Sequence, residues 1–246
     1  MIDQDSAILS CGGYGTSQIR SLKGFATKHL TAKILFEAPK DYFLEGCATL
    51  PSGNLIVLTW RNHKILEYSL TDSRLVREVY YPHDGWGLAY DTDRNVLIAT
   101  DGSDKLFYIN PSTLEIDRSC SVRLSHNGSS YAAVRYMNEL EYMNGLVFAN
   151  IYIPAGIKGY PNFIVGINLV TCEVDQVIPF NLFAGSPESP DHVMNGIARW
   201  SGDSSQFLVT GKMWNKIFLI ETSTDSHPPT TPYNITVFLD QDLYFR

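Results

Sequence analysis

The sequence predicts an all-β fold, a five-bladed β-propeller whose first blade lacks its innermost strand. Three observations lead there. Long helical periodicity is nearly absent. Short runs of β-branched and aromatic residues alternate with clusters of Gly, Asn, Asp, Ser and Pro. These runs recur in one motif order about every 49 residues, which marks a repeat architecture rather than a sandwich.

The units run in order along the chain. AILSCGGYGTSQIRSL starts at Ala7, NLIVLTWRNHKILEYSL at Asn54 and NVLIATDGSDKLFYINP at Asn95. GLVFANIYIPAGIKGYPNFIVGINL starts at Gly145 and QFLVTGKMWNKIFLIE at Gln206. Each reads as a strand, a polar or aromatic connection and a second strand; the middle three continue into a third, as LVREVYY does after the TDSR turn. A second motif precedes four of the five: FLEGCATL around Glu45, GWGLAYD around Trp86, NELEYM around Asn138 and MNGIARW around Asn195. Each sets a small or glycine-flanked residue before a short apolar strand, as the innermost strand of a blade requires. The same motif for the first unit would fall before Met1. Residues 1–246 therefore read as one propeller domain, with a Pro-rich loop over 222–232 and a closing strand within 233–246.

Composition narrows the function classes. The 246 residues are 44% hydrophobic and 18% charged, which excludes disorder for most of the chain. A net charge of -7 gives no footprint for nucleic acid or an anionic membrane, and no apolar run is long enough for a membrane span. Cys11, Cys47, Cys120 and Cys172 are too scattered for a zinc site and read as buried thiols with room for one disulfide. The six histidines show no metal-ligand spacing, and His192 beside Asp191 reads as solvated. No nucleophile elbow, P-loop or dinucleotide fingerprint is present.

In a propeller the inner strands surround a tunnel and their ends converge on one mouth. Glu45, Trp86, Asn138 and Asn195 are thereby candidates to face one another, joined by Trp60, Asp101, Tyr152 and Lys212 from the following strands. A carboxylate, an ammonium, amides and indoles around one cavity suit a small polar ligand with an apolar body. Glycine-flanked aromatics also serve simply to fill a propeller core, so catalysis does not follow from this constellation alone.

FLEG, LTW, DGWGLAYD, TDGS, NELEYMNGLVFANIY, NGIA and VTGKMW stand in one order, and YGTSQIR precedes them. Over about Ser10 to Glu221 this resembles the plant-and-bacterial type of glutaminyl cyclase, a five-bladed propeller family. The resemblance implies cyclisation of N-terminal glutamine in peptides or proteins to pyroglutamate, with release of ammonia. It assigns catalysis to Glu45, Lys212 and Asn138, and substrate binding to Trp60, Trp86, Tyr152 and Asn195. No metal or cofactor is required, a structural ion in the tunnel remaining open. Three departures stand out: Tyr152 replaces a tryptophan, Leu9 replaces a glutamate, and the family's FTQG segment would precede Met1. Repeat register and resemblance together predict an N-terminally incomplete chain of weak activity. They further imply a monomer, and a secretory or extracellular setting to which the Asn127 and Asn234 sequons would be relevant, although no signal peptide is visible. Two other readings compete: a calcium-dependent lactonase or esterase with Glu45, Asn138 and Asn195 as oxygen ligands, and a non-catalytic peptide-binding propeller.

Overall fold

The computed structural model describes residues 5–27, 29–126, 130–152, 162–180, 193–200, 206–212, 214, 216–221 and 235–239. The Asn127 and Asn234 sequons, His192 and the Pro-rich loop lie outside them. Among the described residues there is no helix, hence none long and apolar enough to cross a membrane.

Five antiparallel sheets succeed one another along the chain as the blades of a propeller. The first contains β1 (Ser6–Cys11), β2 (Gln18–Lys23) and β3 (Thr31–Glu37). The second contains β4 (Leu44–Thr49), β5 (Asn54–Thr59), β6 (Lys64–Ser69) and β7 (Arg74–Tyr80). The third contains β8 (Leu88–Asp91), β9 (Val96–Ala99), β10 (Lys105–Ile109) and β11 (Ile116–Ser121). A separate hairpin, β12 (Arg123–His126) and β13 (Ser130–Ala133), leads to the fourth, β14 (Met137–Met143), β15 (Leu146–Ile151), β16 (Asn162–Asn168) and β17 (Val174–Phe180). The fifth contains β18 (Met194–Arg199), β19 (Gln206–Gly211), β20 (Lys216–Glu221) and β21 (Ile235–Leu239). Thus β21 is the outer edge of the fifth blade, and the first blade has three strands among the described residues.

Burial tracks position in the blade. The middle strands are buried along almost their whole length, NLIVLT in β5 and KILEYS in β6, because both faces are covered by neighbouring blades. The outer strand β7, RLVREVY, is mostly exposed. Side-chain packing closes the ring. Five apolar clusters occupy the five seams between blades, including one in which Ala7, Leu22, Phe25 and Leu30 of the first blade meet Leu208 and Ile217 of the last. The inner strands then stand side by side in the order β1, β4, β8, β14 and β18.

Turns repeat as well as strands. Asn110 and Asn168 each accept backbone N–H bonds from the residues two and three further on, and Leu114 and Cys172 take left-handed backbone angles at matching places. The second of these turns carries a covalent tie, since Cys172 forms a disulfide with Cys120 of β11, bridging the third and fourth blades. The Tyr108 hydroxyl lies against both sulfurs and donates to the Leu169 carbonyl, while the Arg118 guanidinium covers the Tyr108 ring. Cys11 and Cys47 are free thiols.

The disulfide closes a sequence separation of 52 residues, and restricting that loop in the unfolded chain stabilises the fold by about 2–4 kcal/mol. Replacing Cys120 and Cys172 together by alanine is expected to lower stability by that amount in urea titration. Reduction of the parent should give the same loss.

Candidate active site

A single irregularity builds the site. In three blades the pairing of the two inner strands slips, so that two residues oppose one. Glu45 and Gly46 lie between the pairs Leu44–Thr59 and Cys47–Val57. Asn138 and Glu139 lie between Met137–Ile151 and Leu140–Ala149, and Asn195 and Gly196 between Met194–Gly211 and Ile197–Val209. In the third blade Trp86 and Gly87 hold the same relation to Thr100, which accepts the Trp86 N–H and donates its own N–H to the Gly87 carbonyl. Bulges of this kind re-aim side chains at the end of a strand. Here they carry the first member of each pair, Glu45, Trp86, Asn138 and Asn195, to the wall of one central cavity.

The cavity has a volume of about 730 Å³. Glu45, Lys212, Asn138, Trp60, Trp86, Tyr152 and Asn195 all line it, so the seven predicted residues are brought together. Asp101 is not among the lining residues. Its carboxylate accepts from the Ser103 backbone N–H and hydroxyl and lies 3.6 Å from the His83 ring, bracing the turn behind Trp86. Trp86 meets Tyr152 edge to face at 6.0 Å, and Trp60 meets Phe43 in the same way at 5.4 Å. Gly102, at φ 80°, lies flat against the Trp86 indole, where any Cβ would collide. Leu9 and the thiols of Cys11 and Cys47 line the side of the first two blades.

Glu139 is the residue that sequence reasoning passed over. It takes the second bulge position, where the other three blades have Gly46, Gly87 and Gly196. That contrast within the repeat was the available signal. Its Oε1 accepts the N–H groups of Leu88, on the neighbouring blade, and Leu140, at 3.2 and 3.0 Å. Its own N–H donates to Asn150 Oδ1, and Asn150 Nδ2 donates to the Met194 carbonyl. One fully buried amide and one carboxylate thus bind three successive inner strands.

Electrostatics sets these carboxyls apart from surface ones. Burial pushes Glu45 up to about 8, the Glu139 charge adding to the rise and Lys212 opposing it. Burial pushes Glu139 up to about 7 against the two N–H bonds it accepts, with Glu141 adding to the rise. Glu141 is raised as well, mainly by burial, with the Arg199 N–H and guanidinium working the other way. Cys11 and Cys47 are driven upward by burial and are therefore neutral thiols, poor nucleophiles and poor metal ligands. Among the described residues, no three His, Cys, Asp or Glu side chains converge as a metal-binding group. The arrangement can hold an amine near a carboxyl that titrates close to neutrality, between aromatic walls, with an ammonium and an amide available to a developing negative charge.

Comparison with known proteins adds an independent line. Residues 1–222 match the glutamine cyclotransferase family. A glutaminyl-peptide cyclotransferase of Arabidopsis thaliana is 32% identical over 221 residues, 88% of this chain and 63% of that protein. The chain therefore spans a little under two thirds of that relative's length. The crystal structure of the Myxococcus xanthus glutaminyl cyclase has the same fold, with a TM-score of 0.63 at 22% identity over 95% of this chain and 97% of that one.

The raised carboxyls carry a signature that needs no substrate. In the fold Glu45 keeps its proton up to about 8 and Glu139 up to about 7, whereas an ordinary glutamate releases it near 4.5. Between those values the folded state binds more protons than the unfolded state. This contribution to stability is complete below about 4.5 and is lost as pH rises through 8. Glu45→Gln, neutral at every pH, is expected to flatten the fall of the thermal midpoint between pH 5 and 8.5. Identical slopes in parent and variant would remove the buried-carboxyl account.

Proposed function

The chain belongs to the glutamine cyclotransferase family, and from that premise we propose that it cyclises N-terminal glutamine of peptides to pyroglutamate, releasing ammonia. The observation that carries the reading is the pairing of Glu45, raised to about 8, with Lys212 and Asn138 around one aromatic-walled cavity. The α-amine of a peptide titrates near 7.7–8.0. A base matched to that value transfers the proton with little thermodynamic cost, which is where general base catalysis is most effective.

The reaction joins two ends of one residue. The neutral α-amine attacks the γ-carboxamide carbon, a C–N bond forms, and the carbonyl oxygen becomes an oxyanion. Glu45 takes the proton from the attacking nitrogen and returns it to the departing NH2, so that ammonia leaves and the ring amide remains. Lys212 and the Asn138 amide stabilise the oxyanion. Trp60, Trp86, Tyr152 and Asn195 hold the side chain folded back on its amine, and this orientation supplies much of the rate. The scheme requires no metal or cofactor.

Mass spectrometry of a glutamine-initiated peptide after incubation tests the reaction directly, the expected product being lighter by one ammonia, about 17 Da. Glu45→Gln is expected to lower kcat by about 10²–10⁴, and Lys212→Ala by about 10²–10³, in proteins that unfold cooperatively like the parent. Turnover close to that of the parent in either variant would take that residue out of the mechanism.

A further inference from the structure

From Trp60 a line of aromatic contacts runs on to Phe43 and Tyr14, two rings that the cyclisation chemistry does not use. Phe43 stands two residues before Glu45 and lines the cavity beside Trp60. On its other side Tyr14 meets it edge to face at 5.3 Å, with 54% of the tyrosine exposed to solvent. Arg61, also exposed, lays its guanidinium 4.1 Å over the Trp60 ring and covers that side of the line. Single exposed aromatics are ordinary on a protein surface. This one differs because it is fixed in place and continuous with a cavity.

The fixing comes from the Gly12–Ser17 loop. Ser17 Oγ accepts the N–H groups of Gly13 and Leu44 and donates to the Gly13 carbonyl. The Gly15 N–H donates to the Lys40 carbonyl at 2.7 Å, and the Thr16 N–H to the Gly13 carbonyl at 3.0 Å. A Cβ on Gly12 would strike the Phe43 ring and the Leu44 carbonyl, so this glycine is what lets the loop press against the start of β4. Tyr14 is thus held against the segment that carries Glu45. A rigid aromatic loses little conformational entropy on binding, which suits it to a recognition contact.

We propose that Tyr14 and Phe43, adjoining Trp60, form an outer subsite for the side chain of the residue that follows the N-terminal glutamine, and that it selects an aromatic or large aliphatic residue there. The proposal rests on the cyclase reading for the position of the glutamine. Consecutive α-carbons of a peptide lie about 3.8 Å apart. With the glutamine beside Glu45, the next side chain is one step outward, where Phe43 and Tyr14 offer ring edges and faces. Arg61 keeps its charge over the Trp60 ring, and a glutamate side chain in the test peptide distinguishes that cation from the Phe43 and Tyr14 rings.

The test compares Gln-Phe-amide, Gln-Gly-amide and Gln-Glu-amide with the parent, Tyr14→Ala, Tyr14→Phe and Arg61→Ala. The parent is expected to favour the phenylalanine peptide over the glycine peptide, chiefly through KM. Tyr14→Ala should reduce that ratio about three- to tenfold, the size of one aromatic pair, and Tyr14→Phe should retain it because the hydroxyl is not used. An unchanged ratio in Tyr14→Ala, or no preference in the parent, overturns the proposal. So does a preference for the glutamate peptide that Arg61→Ala abolishes. The same ratios are read as dissociation constants by isothermal titration calorimetry. If no peptide is cyclised the reaction assignment fails while the subsite is still judged, and equal constants for the phenylalanine and glycine peptides reject it.

Discussion

Backbones of neighbouring blades touch at the axis, and only residues without a Cβ allow it. The Gly46 N–H donates to the Trp86 carbonyl at 2.7 Å, which brings β4 against the chain leading into β8. Gly87 lies so close to the Asn138 carbonyl that an added Cβ would overlap it, and Gly85 is packed in the same way on Leu58 and Thr59. These contacts set how far the inner strands approach, and so the width of the tunnel. The residues before Gly46 and Gly87 are Glu45 and Trp86. The contacts that bring the blades together therefore also aim the site.

Glu139 is the one departure from this rule among the four bulges. A carboxylate at the glycine position needs space and partners, and it finds them in the amides of Leu88 and Leu140. It also adds charge where charge is costly. Glu45, Glu139 and Glu141 line one cavity with Lys212 and Arg199, and burial leads the upward shift of each carboxyl. With Glu45 protonated up to about 8 and Glu139 up to about 7, the cavity carries less negative charge near neutrality than three carboxylates would give it.

The architecture was legible because the repeat was written at two levels, in strand pairs and in the glycine-flanked motif ahead of them. That motif is the bulge, so asking which positions recur led to residues that line the cavity, while their roles came from the family resemblance. Asp101 failed the same reasoning: it matches Trp60 and Lys212 in repeat position but its carboxylate is used by its own turn, through Ser103. The Cys120–Cys172 pairing depends on a contact between blades that spacing does not encode. The β12–β13 hairpin belongs to no repeat and has no counterpart among the described residues. Glu139 was hidden because a strand's alternation treats it as an ordinary residue, and only the slipped register turns it toward the cavity.

Stability and chemistry draw on different side chains of this molecule. The apolar clusters lie in the seams between blades and are built largely from middle-strand residues such as Ile98, Val147 and Phe207, while cluster members such as Leu22, Leu55 and Leu208 also reach the cavity wall. Around the axis the described residues enclose a cavity lined by half-buried carboxyls and indoles together with the inner ends of the apolar clusters. Loss of a polar side chain there leaves the seams intact, so exchanges at Glu45 or Asn195 change charge and shape more than they change folding. The glycines are the exception, because Gly46 and Gly87 belong to both regions. A methyl group at either would push two blades apart and displace a site residue at once. Divergence within such a ring is therefore freest at the first bulge position, where Glu, Trp and Asn all occur, and most constrained at the second, where a departure as large as Glu139 stands only with its own hydrogen-bond partners.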